Sequence, residues 1–424
     1  MKITACIIAK NETLNIERCL ESLKNAADEI IVVDTGSTDD TVKIAKAYSA
    51  RVFYYQWDDN FSNAKNYALD KATGDWIIFL DADEYLAIRT QKLLPQILRK
   101  IHSNRGYDGV QLRMVHTEGF NGKILGENPT IRIFRRNYIR FKGAIHESVL
   151  KNGKPLRLIF IDDEDIVIYH TGYQPSNFLN KFRRNLRLLE KQEKANHIGA
   201  LTYYYLSSTH SNLGDCEQAI KYALLALKEP GFEKTVVAPK PYVILAKNML
   251  TLEDKYTLEE VESYIDKALE LYPDHPEIWR MKAIIRKKQN KIHEAISCYN
   301  KALQCNQNFN HKMQNDFPMC IEEVYHDLAH LSQADGKTPD AVEYYYDALK
   351  INKYNGNTLA SLYDLIKDQK TEEILLFLNS IYNRDDEKDL AFLISCMNQL
   401  NTEAAMYYYN RYEKTFSQKA NLLS

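Results

Sequence analysis

From Met1 to Tyr85, short apolar runs alternate with amphipathic stretches of helical period, and each run ends in polar side chains. Ile3 to Ala9 is apolar and rich in β-branched residues. After it Asn11 and Glu12 open a helical pattern in which Leu14, Ile16, Cys19, Leu20 and Leu23 recur at i, i+3, i+4 spacing. A second run, Glu29 to Asp34, leads through Thr35-Gly36-Ser37-Thr38-Asp39-Asp40 into a helix expected over Thr41 to Tyr48, with Ser37 or Thr38 as its N-cap. A third, Arg51 to Tyr55, passes through Trp57 to Ser62 into a helix carrying Ala64, Lys65, Ala68 and Leu69. The fourth, Trp76 to Leu80, stops abruptly at Asp81-Ala82-Asp83-Glu84. This order predicts an α/β fold with parallel βαβ winding. Asn11, Glu12, Asp34, Asp81 and Asp83 then fall along one edge of the sheet, where open α/β folds bind their ligands.

From about Tyr203 the period changes and strand patterns disappear. Tyr203, Leu206, Gly214, Ala219, Ala223, Ala226 and Pro230 align with Trp279, Ala283, Asn290, Ala295, Tyr299 and Ala302, and again with Tyr325, Leu328, Ala329, Gly336, Ala341, Tyr345 and Ala348. That small-and-aromatic spacing is the tetratricopeptide pattern of stacked helix pairs. Ala268 and Pro273 mark another unit, Ala405 and Tyr409 part of a terminal one, and Asn306 to Pro318 breaks the register. Two domains are expected, residues 1–190 and 191–424. The tyrosine runs at 203–205, 344–346 and 407–409 are either helix–helix core or recognition platforms.

Two carboxylates one residue apart at a strand end suit Mg²⁺ or Mn²⁺, which take oxygen ligands from one or two acidic side chains plus substrate phosphates. The same residues also fit an Asp-rich turn that merely caps a strand. Four motifs taken together go further: Ile8 to Glu12, Val33 to Asp39, Asn60 to Asn66 and Asp81 to Glu84, in this order, resemble the GT-A glycosyltransferases of family 2. Phe141 to Glu147 and Ile168 to Tyr173 resemble later motifs of a bacterial branch whose catalytic domain precedes tetratricopeptide-like helices. Within that branch the chain is similar to glycocin S-glycosyltransferases, which attach a sugar to a cysteine of a ribosomally made bacteriocin.

The resemblance implies an inverting transfer from a UDP-sugar, expected to be UDP-glucose, onto a cysteine-containing precursor peptide. It implies that Ala9, Lys10, Asn11 and Glu12 line the base and ribose, that Asp34 accepts from the base, and that Lys65 reaches a phosphate. Asp83 is then the expected metal ligand, with Asp81 a ribose or metal contact, Ala82 between them and His170 completing the site. Read from spacing alone, Asn11 and Asp34 fit helix caps, Lys65 a solvated charge and His170 a core histidine. Inversion needs a base opposite the leaving diphosphate, and Glu147 is the candidate, with Glu84 the alternative. Lys181, Arg183, Arg184 and Arg187 lie on one expected helix, either beside a phosphate or on a solvated face. Arg132 and Arg136 share a face by strand alternation, opposite Arg135.

The chain has 424 residues and a net charge of -2, without the basic, aromatic groove expected of a nucleic-acid binder. No window reaches the roughly eighteen uninterrupted apolar residues of a membrane span, and Met1-Lys2-Ile3 leads straight into a strand without a signal peptide, so a cytoplasmic protein is expected. The seven cysteines, Cys6, Cys19, Cys216, Cys298, Cys305, Cys320 and Cys396, include no C-x-x-C pair and read as reduced thiols. The repeats are expected to recognise the acceptor or to form a homodimer. Two other readings stand beside this one: an enzyme acting on a cell-envelope glycan or lipid, and a non-catalytic repeat scaffold.

Overall fold

Alternation along the fourth apolar run explains the centre of the molecule. In the computed structural model, which describes residues 1–119, 122–172, 178–194 and 199–417, strand β4 (Trp76–Asp81) is buried on both faces. Trp76, Ile78 and Leu80 join one apolar cluster, and Ile77 and Phe79 join another on the opposite side. Strand β1 (Ile3–Ala9) divides the same way, Ile3, Ala5 and Ile7 to the first cluster and Cys6 to the second. Strands packed between two helical layers read as unbroken apolar runs, and these two do.

Around them the chain winds as expected. Helix α1 (Ile16–Leu23), strand β2 (Glu29–Asp34), helix α2 (Thr41–Ala47), strand β3 (Arg51–Tyr54) and helix α3 (Phe61–Lys71) precede β4. Strands β3, β2, β1 and β4 lie side by side and parallel. Beyond β4 come β5 (Glu84–Leu86), α4 (Ile88–His102), β6 (Gly109–Thr117) and β7 (Ile124–Arg135). Strand β7 pairs antiparallel with both β4 and β6. Strands β8 (Ile139–Lys142), β9 (Ser148–Lys151) and β10 (Lys154–Pro155) form a small separate sheet, while β11 (Leu158–Phe160) pairs with β6. Strand β12 (Val167–His170) lies between β6 and β5, which brings His170 back beside the end of β4.

One sequence expectation is corrected. The helical pattern opening at Asn11 and Glu12 begins only at Ile16, and Leu14 is 75% exposed rather than core. Asn11 sits at φ 57°, a left-handed conformation that Asn tolerates better than most residues and that no helix accepts. Its amide donates to Ser37 Oγ, and Glu12 N donates to Thr41 Oγ1, so this segment is bound to the neighbouring turn instead of coiling.

Contacts divide the chain into two compact units, Met1–Met281 with Asn308–Pro318, and Lys282–Gln307 with Met319–Ser424. The first contains the sheet and helices α5 (Phe178–Lys194), α6 (Ala200–Leu213), α7 (Cys216–Lys228), α8 (Lys240–Thr251) and α9 (Leu258–Leu271). Helix α10 (Pro276–Lys288) passes into the second unit, which holds α11 (Ile292–Gln307), α12 (Ile321–Ala334), α13 (Thr338–Ile351), α14 (Gly356–Ile366), α15 (Thr371–Leu378), α16 (Glu387–Leu400) and α17 (Thr402–Tyr412). The aligned small and aromatic positions are the buried seams: Ala219, Ala223, Ala226, Ala295, Tyr299, Ala302, Ala341, Tyr345 and Ala348 are all at most 1% exposed. Gly214, Asn290 and Gly336, aligned in the sequence, all take the left-handed conformation that ends a helix, at φ 82°, 59° and 76°. The α14–α15 pair escaped the repeat pattern because its seam is built of Leu359, Leu362, Ile374 and Leu378 instead of alanine and tyrosine. In each tyrosine run the central ring is the buried one, Tyr204, Tyr345 and Tyr408, whereas Tyr407 and Tyr409 are exposed. Neighbours on a helix point about 100° apart, so one residue of three faces the core.

The break at 306–318 has a physical basis. Asn315 pairs its backbone with Glu127 on β7 through two 2.8 Å hydrogen bonds, and the segment packs with the sheet unit. Among the described residues no helix is long and apolar enough to cross a membrane.

Candidate active site

A cavity of about 960 Å³ opens where β1 and β4 end, within the first unit. Its wall begins with two cross-linked turns. Asn11 Oδ1 accepts from Thr38 N at 2.8 Å, and Thr13 N donates to Asp39 Oδ2 at 3.2 Å, so the turns after β1 and β2 hold each other. Ala9, Lys10, Asn11 and Glu12 line the cavity, joined by Thr35 and Asp39. Burial raises the pKa of Glu12. Asp34 is not on the cavity wall. It is 4% exposed, and its carboxylate accepts from the backbone amides of Gly36 and Ser37, closing its own turn.

The end of β4 carries an alternating chain of charges. Arg132 donates to Glu84 at 2.8 and 2.6 Å and to Asp81 at 3.0 Å. Lys65 lies 3.3 Å from Asp81 and 3.2 Å from Glu147. Burial alone would push these groups toward neutrality, yet the cations outweigh it for Asp81, which stays well below the usual carboxylate range. For Glu84, 2% exposed, burial prevails and its pKa is raised. Glu84 also accepts from the backbone amide of Asp81, so it braces the motif rather than facing the cavity. Lys65 Nζ is further enclosed by the rings of Phe79 and Phe141, 5.5 and 5.4 Å away. Lys65 is thus a buried, paired cation and not a solvated one.

Asp83 and His170 face each other a short distance along, Oδ2 to Nε2, at 3.2 Å. Burial disfavours the charged imidazole, but the hydrogen bond and charge of Asp83 overcome it, and the pKa of His170 is raised. Asp83 is correspondingly lowered, its desolvation outweighed by His170. Gly172 keeps the space beside this pair open, since a Cβ there would collide with Asp83 Oδ2 and His170 Nε2. One carboxylate, one imidazole and an adjoining void fit a divalent cation that completes its shell from phosphate and water. Among the described residues no three His, Cys, Asp or Glu side chains already converge as a closed metal cage.

The facing wall comes from the β8–β9 turn and from helices. Glu147 follows His146, which has φ 51° and whose ring stacks on Tyr205 of α6 with centroids 3.5 Å apart. Lys181, Arg184 and Asn185 of α5 also line the cavity, so part of the basic helix faces it. Arg187 and Lys191 turn away to Asp59, each at 3.1 Å. Tyr173 and Gln174 lie outside the described residues.

The structure therefore gathers Lys65, Asp81, Ala82, Asp83, Glu147, His170 and the Ala9 to Glu12 segment around one cavity, and leaves Asp34 behind it. The sequence reading missed His116, whose Nδ1 lies 3.0 Å from His170 Nδ1, and Leu201 on the wall, where Tyr205 of the 203–205 tyrosine run also stands. For Arg132 alternation gave the face, and the acidic partner Glu84, adjacent to the D-x-D motif, was the available clue. Arg136 takes a structural part, donating to Gly74 O, and Arg135 donates to carbonyls of Ile101, His102, Asn104 and Tyr107.

Residues 4–148 match the family model described as Glycosyl transferase family 2, and residues 276–309 match a tetratricopeptide repeat model. The chain is 32% identical over 225 residues to the SPbeta prophage-derived glycosyltransferase SunS of Bacillus subtilis strain 168, covering 52% of each protein. It is 35% identical over 158 residues to an uncharacterized glycosyltransferase of Rickettsia bellii, covering 36% of this chain and 53% of that one. The alignments thus span about half the length of these curated relatives. Among solved structures, residues 1-349 of S. aureus TarS align at 18% identity with a TM-score of 0.36, covering 63% of this chain and 92% of that one, a likeness too loose to bear on function. The match at 4–148 spans the turns, the D-x-D strand end and Glu147, and the chain carries a family 2 glycosyl transferase domain followed by tetratricopeptide repeats.

Proposed function

We propose that this protein is a metal-dependent, inverting glycosyltransferase that moves a hexose from a UDP-sugar, expected to be UDP-glucose, to a cysteine thiol of a ribosomally made bacteriocin precursor, with serine a secondary acceptor. The observation that carries this reading is the presence in one cavity of two separate polar pairs: Asp83 with His170, beside open space, and Glu147 with Lys65. The first suits a cation and the diphosphate it accompanies, and the second suits a base held ready for the acceptor. Mg²⁺ or Mn²⁺ at Asp83 and His170 would offset charge on the leaving diphosphate. The Ala9 to Glu12 turn would receive the nucleoside, and Asp81, held by Lys65 and Arg132, the sugar or ribose hydroxyls. Glu147 would take the acceptor's proton as the new bond forms on the face opposite the diphosphate.

A thiol of pKa about 8.5 is partly ionised at neutral pH, so a cysteine acceptor needs the base less than a hydroxyl does. In the reducing cytoplasm such a thiol would be free. Tyr205 and Leu201 of α6 stand on the cavity wall, which supports a part for the first repeat helices in receiving the acceptor. The test is intact-mass analysis of a reduced, cysteine-containing precursor after incubation with the protein, Mg²⁺ or Mn²⁺ and a panel of UDP-sugars. A hexose increment on cysteine that disappears without metal is expected. Glu147→Gln should lower the rate by about 10²- to 10⁴-fold, with a serine acceptor the more sensitive. UDP-sugar hydrolysis without peptide modification would overturn the peptide acceptor, and full activity in Glu147→Gln would overturn the base.

A further inference from the structure

We propose that His116 and Asn128 are positioning residues for the metal pair, fixing the proton of His170 on Nδ1 so that its Nε2 lone pair is presented beside Asp83. This rests on the metal-dependent reading above and extends it to two residues behind the cavity wall.

The sheet brings them together. His170 and His116 are register partners across the parallel β12–β6 pair, and their rings meet at 90° with Nδ1 to Nδ1 at 3.0 Å. Asn128, two residues beyond the β7 partner of His116, lies with Oδ1 2.6 Å from His116 Nε2. Asn128 Nδ2 donates to Pro129 O at 3.1 Å. A carbonyl only accepts, so this bond fixes which end of the amide is nitrogen and leaves oxygen toward His116.

The protons then follow in sequence. Asn128 Oδ1 only accepts, so the hydrogen of the neutral His116 imidazole sits on Nε2. Its Nδ1 is therefore an acceptor, and the hydrogen in the contact between the two rings belongs to His170 Nδ1. With Nδ1–H fixed in this way, the hydrogen that Nε2 donates to Asp83 is the one released when a cation enters, and the neutral ring then presents its Nε2 lone pair beside Asp83. Run the other way, the neutral ring would keep its single hydrogen on Nε2 and close that position to a cation. A metal-bound histidine commonly has its second nitrogen oriented by such a partner. Here the partner is another histidine, set in turn by an amide.

Asn128 is itself held. Glu127, its neighbour, exchanges two 2.8 Å backbone hydrogen bonds with Asn315, and its carboxylate lies 2.6 Å from His311 Nδ1. The 308–318 segment, which interrupts the repeats, is thereby the buttress at the far end of the chain.

The experiment measures Mn²⁺ affinity by electron paramagnetic resonance in the presence of UDP, for the full-length protein and for His170→Ala, His116→Phe and His116→Gln. The ¹⁵N shifts of His170 in the wild type with Mg²⁺ and UDP give its tautomer. His116→Phe removes the acceptor and should weaken Mn²⁺ binding about 10- to 100-fold. His116→Gln can still offer an oxygen to His170 Nδ1 and should restore most of the affinity. The tautomer should be Nδ1–H. If His170→Ala leaves Mn²⁺ binding unchanged, the metal reading falls and the relay with it. If His170→Ala weakens binding while His116→Phe does not, or while Phe and Gln weaken it equally, the relay alone is overturned. Should His116→Phe fail to fold, the wild-type tautomer still decides, and Nε2–H would overturn the proposal.

Discussion

Two buried carboxylates, Asp389 in the second unit and Asp83 at the end of β4, show how differently a fold can treat the same side chain. Asp389 is fully buried, and its oxygens accept from Lys353 Nζ at 2.7 Å, Tyr354 OH at 2.6 Å and the amide of Asn383 at 2.8 Å. Its hydrogen-bonding capacity goes into joining the α13–α14 turn to the start of α16. Asp83 is tied through its backbone carbonyl, which accepts from Thr171 N and Oγ1, while among the described residues its carboxylate bonds to the His170 imidazole, beside the gap at Gly172. The backbone is fixed, and the carboxylate keeps acceptor capacity. Saturation suits a residue that holds the structure, and a held carboxylate with acceptor capacity to spare suits the ligand-binding part proposed for Asp83.

The contrast can be broken most forcefully at Asp389. Asp389→Ala should cost about 1–3 kcal/mol, because it takes the acceptor from Tyr354 OH and from the amide of Asn383, while Lys353, 38% exposed, can turn to water; calorimetry should show that loss in the second unit. Turnover of the folded fraction at low temperature should be unchanged. A loss below about 1 kcal/mol would mean that Asp389 is no keystone.

A pH series sharpens the same point. Burial opposes the charged form of Asp389, but Lys353 and Tyr354 prevail and its pKa is lowered. A carboxylate lowered in the folded state stabilises fully above its unfolded value of about 3.9 and loses that contribution as pH falls through the folded value. Acidification below about pH 4 should therefore lower the melting temperature, and less steeply in Asp389→Asn; identical slopes would contradict the assignment. The smallest effect is expected at a helix end. Gly336→Ala places a Cβ at φ 76° and should cost about 1 kcal/mol, whereas Asn290→Gly should change stability by a few tenths. Equal effects at the two sites would show that the aligned positions are not equivalent caps.

Much of the site was legible because strand ends are punctuated by chemistry. The apolar run that stops at Asp81 and Asp83, and the polar turns after β1 and β2, place their residues at one sheet edge whatever the details of the turns. What escaped the sequence depends on strands that pair out of order. His116 and His170 are fifty-four residues apart and become neighbours only because β12 inserts between β6 and β5. Arg132 looked like one of three similar arginines until β7 set it beside Glu84. The start of α1 was misread because Asn11 satisfies its hydrogen bonds with a turn that follows another strand, a long-range choice that helical spacing does not encode. Asp34 has the composition of a ligand-binding residue but spends its carboxylate on its own turn.

Whether the Asp83 cavity performs sugar transfer is measured most directly by UDP release from UDP-sugars, with and without Mg²⁺ or Mn²⁺, by the wild type and by Asp83→Ala. Metal-dependent UDP release is expected in the wild type, with at least a 10³-fold loss in Asp83→Ala on the scale of several kcal/mol expected for a metal ligand. The melting temperature of the variant should stay close to that of the wild type. Release that is equal in the two proteins, or absent from the folded wild type with every donor, would contradict sugar transfer at this cavity.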